Sequence, residues 1–186
     1  MITRRGFLTA GGLALASLAM PRRGRAAPVD VHMRSDPEGA QVWFDPVGLY
    51  LEPGQTVRWV VDANVHTTTA YHPRNARHSL RIPEAAVPWD SGFLVNPGDH
   101  FEVTFTVEGV YDYFCTPHEA AGMVGRLVVG RPAGPGMLSF DYFDGKPGAA
   151  AWLRVPEAAR RAFPGIEQIM RRRIVRRAEK GNDQGR

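Results

Sequence analysis

The only cysteine of the chain, Cys115, is followed by His118 and Met123 inside the stretch Val110 to Val129, VYDYFCTPHEAAGMVGRLVV. A thiolate, an imidazole and a thioether at Cys-x2-His-x4-Met spacing are the soft and borderline donors that suit a copper ion. A lone cysteine is commonly just a small buried hydrophobe. Here three ligand types coincide on one short loop, and that coincidence points to a metal.

Such a loop needs two strands to carry it. Val110, Tyr111, Tyr113 and Phe114 make a β-rich run into the cysteine, and Val124, Leu127, Val128 and Val129 make another out of it. Upstream the pattern is β throughout. Val29 to Met33, Gln41 to Phe44 and Leu49 to Leu51 read as strands, with a turn at Glu52-Pro53-Gly54-Gln55. Thr56 to Val61 places Val57, Trp59 and Val61 on one face, and Phe101 to Val107 alternates cleanly after the turn Asn96-Pro97-Gly98-Asp99. Residues 62 to 92, rich in Asn, His, Pro and Arg, read as long loops with a short helix. Strands separated by turns at this spacing predict an all-β fold, a Greek-key β-sandwich.

The two ends differ from this body. Thr3-Arg4-Arg5-Gly6-Phe7-Leu8 precedes an apolar segment, Phe7 to Met20, and Gly24-Arg25-Ala26-Ala27 offers small residues for cleavage. Residues 1–27 therefore look like a twin-arginine export signal, too short for a bilayer span of ~20 residues. After Gly130, Arg131-Pro132-Ala133-Gly134-Pro135-Gly136 reads as a linker. Pro156 and Pro164 are placed to open helices. In the second, from Pro164 to Lys180, Ile166, Ile169, Met170 and Ile174 recur at helical spacing among Arg171, Arg172, Arg173, Arg176 and Arg177. That is a basic amphipathic helix, suited to an acidic partner or a membrane surface, or else folded back on its own domain. The expected division is a signal over 1–27, a copper domain over 28–130 and a basic extension over 131–186. The net charge follows the same division. Residues 28–130 hold 6 basic and 13 acidic side chains, whereas residues 131–186 hold 12 and 6.

The motif Tyr113-Phe114-Cys115-Thr116-Pro117-His118, continued by Gly122-Met123-Val124-Gly125, resembles the plastocyanin, pseudoazurin and amicyanin branch of the cupredoxins. The resemblance covers residues 29 to 130. It implies a cupredoxin-like sandwich with one mononuclear type 1 copper, in which Cys115 and His118 are ligands and Met123 is the weak axial donor.

Such a site needs a second imidazole from elsewhere in the chain. Of six histidines, His66, His72 and His78 are the candidates. The resemblance favours His66, which follows the strand Thr56 to Val61 through Asp62-Ala63-Asn64-Val65, with His72 as the alternative. His72 and His78, set among Arg74, Arg77 and Arg81, read as polar surface residues. The family's usual residue after this histidine is Asn. Thr67 stands there instead, a departure that leaves the family's brace unassigned, although its hydroxyl can still donate.

Nothing in the ligand set acts as a nucleophile or general acid, and four ligands leave no open position for substrate. The resemblance thus implies an exported one-electron carrier, in the periplasm or cell envelope, and not an enzyme. Its partners would be redox proteins, a basic cytochrome or a membrane-bound oxidoreductase, which the acidic body would steer. Weak membrane or partner contact would fall to the basic helix. No nucleic-acid partner is expected, and the chain is read as a monomer. A copper carrier or store without electron transfer is the alternative, though its six methionines are scattered. A copper enzyme would need a further His cluster.

Overall fold

In the computed structural model, residues 27–177 are described. The export signal expected over residues 1–27 therefore lies outside them, except for Ala27. Among the described residues, nine strands form two sheets. The first holds β1 (Val29–Ser35), β2 (Val42–Asp45), β4 (Gln55–Val61) and β6 (His100–Phe105), in the order β2-β1-β4-β6. The second holds β3 (Gly48–Leu51), β5 (Thr69–Ala70), β7 (Gly109–Phe114), β8 (Val124–Val129) and β9 (Ile174–Val175), in the order β5-β7-β8-β3-β9. β1 pairs parallel with β4, and β3 pairs parallel with β8. The fold is a mixed-strand β-sandwich of the cupredoxin type.

The core follows from the pleat. Val57, Trp59 and Val61 of β4 point inward with Val31 and Met33 of β1, against Tyr111, Tyr113, Leu127 and Val129 of the facing sheet. β7 and β8 are buried at every position, because their outer face is covered as well. A strand covered on both faces loses its polar alternation.

The cover is the C-terminal extension. α1 (Glu157–Ala162) and α2 (Ile166–Arg172) begin after Pro156 and Pro164, but neither proline is the first helical residue: Pro156 is the N-cap of α1, and Gly165 separates Pro164 from α2 as its N-cap. α2 is shorter than the helix expected from Pro164 to Lys180. Arg173 takes φ 64°, ending it, and Ile174–Val175 pairs antiparallel with β3 instead. The apolar stripe also points the other way from the surface role it suggested. Ile169 is fully buried with Val110, Val128 and Val175, and Ile166 and Met170 pack beside it, so most of the stripe is taken up within the chain while Ile174 stays exposed. Burying these side chains against the sheet removes apolar area from water, which a membrane contact would have to undo. No described helix is long and apolar enough to cross a membrane.

A buried ion cluster pins the same cover. Asp112 of β7 and Arg126 of β8 are cross-strand partners on the outer face, and Arg81 joins them. The Asp112 carboxylate accepts from Arg81 Nε at 2.7 Å and from Arg126 Nε at 2.6 Å. Arg126 Nη2 also donates to Asp112 Oδ2 at 2.9 Å, and other guanidinium N–H groups donate to extension carbonyls, Arg81 to Gly136 and Leu138, and Arg126 to Pro164. Between β4 and β6, residues 62–92 hold turns, isolated bridges and the two-residue β5, and the short helix expected there is absent among the described residues.

Candidate metal centre

Two stretches far apart in sequence meet at one end of the sandwich. β5 pairs with β7 so that Thr69 lies opposite Phe114 and Ala70 opposite Tyr113. This register brings the residues just before β5 alongside those just after β7. His66 therefore faces Cys115. Its backbone is fixed on the other side by paired hydrogen bonds with Leu94, at 3.1 and 2.9 Å.

Cys115 leads into a 3-10 turn, Thr116–Ala121, with Pro117 in its first positions. The turn closes on itself. His118 N–H donates to Cys115 O at 3.0 Å, Met123 N–H to His118 O at 3.1 Å, and Cys115 N–H to Met123 O at 3.0 Å. Gly122 ends it at φ 87°, a conformation open to glycine, and a Cβ there would meet Ala158 O of α1 at 3.2 Å. The extension thus backs the loop as well as the sheet.

The donor atoms converge. Cys115 Sγ lies 3.3 Å from His118 Nδ1 and 3.6 Å from His66 Nδ1, and one ligand atom from each residue falls within 4.8 Å of the others. His66 Nε2 faces Ser35 Oγ at 3.2 Å, which holds the ring with Nδ1 toward the sulfur. Met123, fully buried, belongs to the same core cluster as Cys115. His72 lies outside the group. Its Nδ1 accepts the Arg74 N–H at 3.1 Å.

The electrostatics suit a soft cation. Burial, followed by the neighbouring His118, lowers the pKa of His66 to about 4, and burial lowers that of His118. Both imidazoles are neutral at neutral pH and keep a lone pair for a metal. Burial pushes the Cys115 thiol up to about 11, with the Thr67 N–H opposing it. Without a cation the sulfur keeps its proton, and a bound ion would favour the thiolate. One thiolate and two neutral imidazoles, all aimed inward, fit copper.

Two features escaped the sequence, Ser35 and the burial of His78, and a third, the Thr67 brace, it left open. Ser35, 31 residues before His66, gave no signal. Thr67 does supply a brace, since its hydroxyl oxygen accepts the Thr116 N–H at 2.8 Å and also donates to Thr116 Oγ1. His78, expected on the surface, is only 8% exposed and sits against Glu119, the residue after His118. Its place between arginines hid the aromatic floor that buries it.

A family model described as copper binding proteins, plastocyanin/azurin family, matches residues 31–130. A plastocyanin of a Synechococcus strain is 35% identical, covering 66% of this chain and 86% of its own. A pseudoazurin of Paracoccus pantotrophus is 32% identical, covering 66% and 76%. Among solved structures, a pseudoazurin from Sinorhizobium superposes with a TM-score of 0.50 at 26% identity, over 72% of this chain and 87% of that one.

Proposed function

Because the chain belongs to the plastocyanin/azurin family of copper binding proteins, we propose that it is an exported one-electron carrier whose copper is held by His66, Cys115, His118 and Met123. Members of this family are electron-transfer copper proteins rather than enzymes. The observation that carries the reading is the convergence of Cys115 Sγ with the Nδ1 atoms of His66 and His118.

Bound copper would supply a one-electron couple between Cu(I) and Cu(II). The protein's part is to hold the donors still. Cys115 is fully buried and fixed by the Thr67 N–H, and His66 is held between Ser35 and the Leu94 backbone. Rigid donors acceptable to both oxidation states keep reorganisation small, and the thioether of Met123 tunes the potential.

His118 offers the exit. It is half-buried, beside exposed Pro117, Ala120 and Ala121, and exposed Val65, Phe93 and Val95 flank the His66–Leu94 bridge. A small apolar rim suits the brief docking of electron-transfer encounters. The acidic surplus of residues 28–130 favours a basic redox partner, a cytochrome or a membrane-bound oxidoreductase, at a rate that falls with salt.

The match over 31–130 supports a copper domain ending near Gly130, followed by the basic extension. The arginine pair and apolar segment of residues 1–27 support export through a twin-arginine signal to the periplasm or cell envelope. The visible spectrum of the copper-loaded protein tests the reading. An intense thiolate-to-copper band, reversibly bleached by one electron and absent in Cys115→Ser, is expected. A colourless copper adduct would instead fit a copper carrier.

A further inference from the structure

Glu119 stands one residue after His118, yet its carboxylate points away from the metal donors and into a buried polar contact. Tyr71, fully buried, donates its hydroxyl to Glu119 Oε1 at 2.6 Å. On the other oxygen, Oε2, His78 Nε2 closes to 3.1 Å. The opposite ring nitrogen, His78 Nδ1, lies 2.8 Å from the backbone carbonyl of Asn75. The ring stacks on Phe114 at 4.3 Å between centroids, and Tyr71 meets it edge-on at 5.7 Å.

These contacts constrain where the protons sit. A carbonyl oxygen only accepts, so Nδ1 carries a hydrogen. With Glu119 as a carboxylate, which also only accepts, Nε2 carries one too. A histidine protonated on both nitrogens is an imidazolium, and the pair is a charge-assisted hydrogen bond shielded by two aromatic rings. With the proton gone, a ring nitrogen lone pair would face Glu119 Oε2 at contact distance.

The same balance appears in the titration of the ring. Burial alone would lower the pKa of His78, and the hydrogen bonds to Glu119 and Asn75 with the Glu119 charge outweigh it, leaving the pKa raised. Tyr71 stays a donor, its pKa pushed well above the usual value by burial and then by Glu119. The other charges nearby are occupied. Behind Tyr71, Arg81 and Asp112 are paired with each other. In the extension, Arg154, next to the Leu153 that pairs with His78, is paired with Asp144. His72, Arg74 and Arg77 share the loop of His78, and the pKa of His72 is lowered by burial and then by Arg74.

We propose that His78, with Tyr71, is a positioning residue of the copper centre: as an imidazolium bonded to Glu119 it fixes the turn that carries His118, so that loss of its proton lowers the reduction potential. The proposal rests on His118 being a copper ligand. The sign follows from the charge, because a lost positive charge near the metal favours the oxidised ion.

The test uses the full-length, copper-loaded protein. In the Cu(I) form, long-range proton–nitrogen spectra should show both His78 nitrogens protonated at pH 7. The reduction potential, followed upward from pH 6.5, should fall in one step whose midpoint coincides with the His78 titration. His78→Phe, which keeps the stack on Phe114 and removes the donor, should abolish the step while colour persists. Glu119→Gln should bring the His78 midpoint back to or below the ordinary value of about 6.5. A singly protonated His78 at pH 7, or an unchanged step in His78→Phe, overturns the proposal. The spectra of the unaltered protein decide it even if a variant fails to fold. A wrong copper assignment would appear separately, as an unaltered protein without colour.

Discussion

The amide N–H of Thr67 donates to Cys115 Sγ across 3.3 Å, so the residue after one candidate ligand is bonded directly to another 48 positions away. Its hydroxyl oxygen meanwhile accepts the Thr116 N–H at 2.8 Å. The two halves of the site are joined at this one residue. Thr67→Val keeps the shape and the amide bond but removes the hydroxyl. A loss of about 1–3 kcal/mol in stability is expected, because the Thr116 N–H is left without its acceptor, together with a shifted potential. Urea unfolding and a redox titration check this, and a variant identical to the unaltered protein in both would show that the brace is idle.

His66→Ala should abolish the blue absorption, because it removes a donor 3.6 Å from the sulfur. His72→Ala should leave it unchanged, since the Nδ1 of that ring is turned to the Arg74 N–H. Visible spectra of the two copper-loaded variants suffice. The opposite pattern would move the ligand to His72.

Met123→Leu should keep copper and colour and raise the reduction potential. Leucine fills the buried volume of Met123 but donates nothing, and losing a weak thioether disfavours Cu(II) more than Cu(I). A redox titration that finds no change would remove Met123 from the axial position.

Asp112→Asn should destabilise the protein severely. It takes the counter-charge from Arg81 and Arg126, both buried, and breaking such a cluster on one side costs roughly 3–5 kcal/mol. The same arginines hold the carbonyls of Gly136, Leu138 and Pro164, so the extension should become sensitive to protease. A melting temperature within a degree of the unaltered protein, with an equally resistant extension, would sink this account.

Local order made much of the site readable in advance. Cys115 and His118 stand three residues apart at one turn, so their spacing alone brings Sγ and Nδ1 to 3.3 Å, with Met123 five residues further on. The alternation of Val57, Trp59 and Val61 likewise reveals a half-buried strand, because the pleat has a period of two. Whatever depends on pairing between distant segments stayed hidden. Which histidine joins Cys115 is decided by the β5–β7 register, and Ser35 reaches His66 only because β1 lies in the sandwich beside it. The stripe of Ile166, Ile169 and Met170 showed in the sequence that one helix face must be buried. Only the fold decided that the burying surface is the chain's own β7 and β8, where Asp112 and its two arginines satisfy the carbonyls that such a cover would otherwise strand.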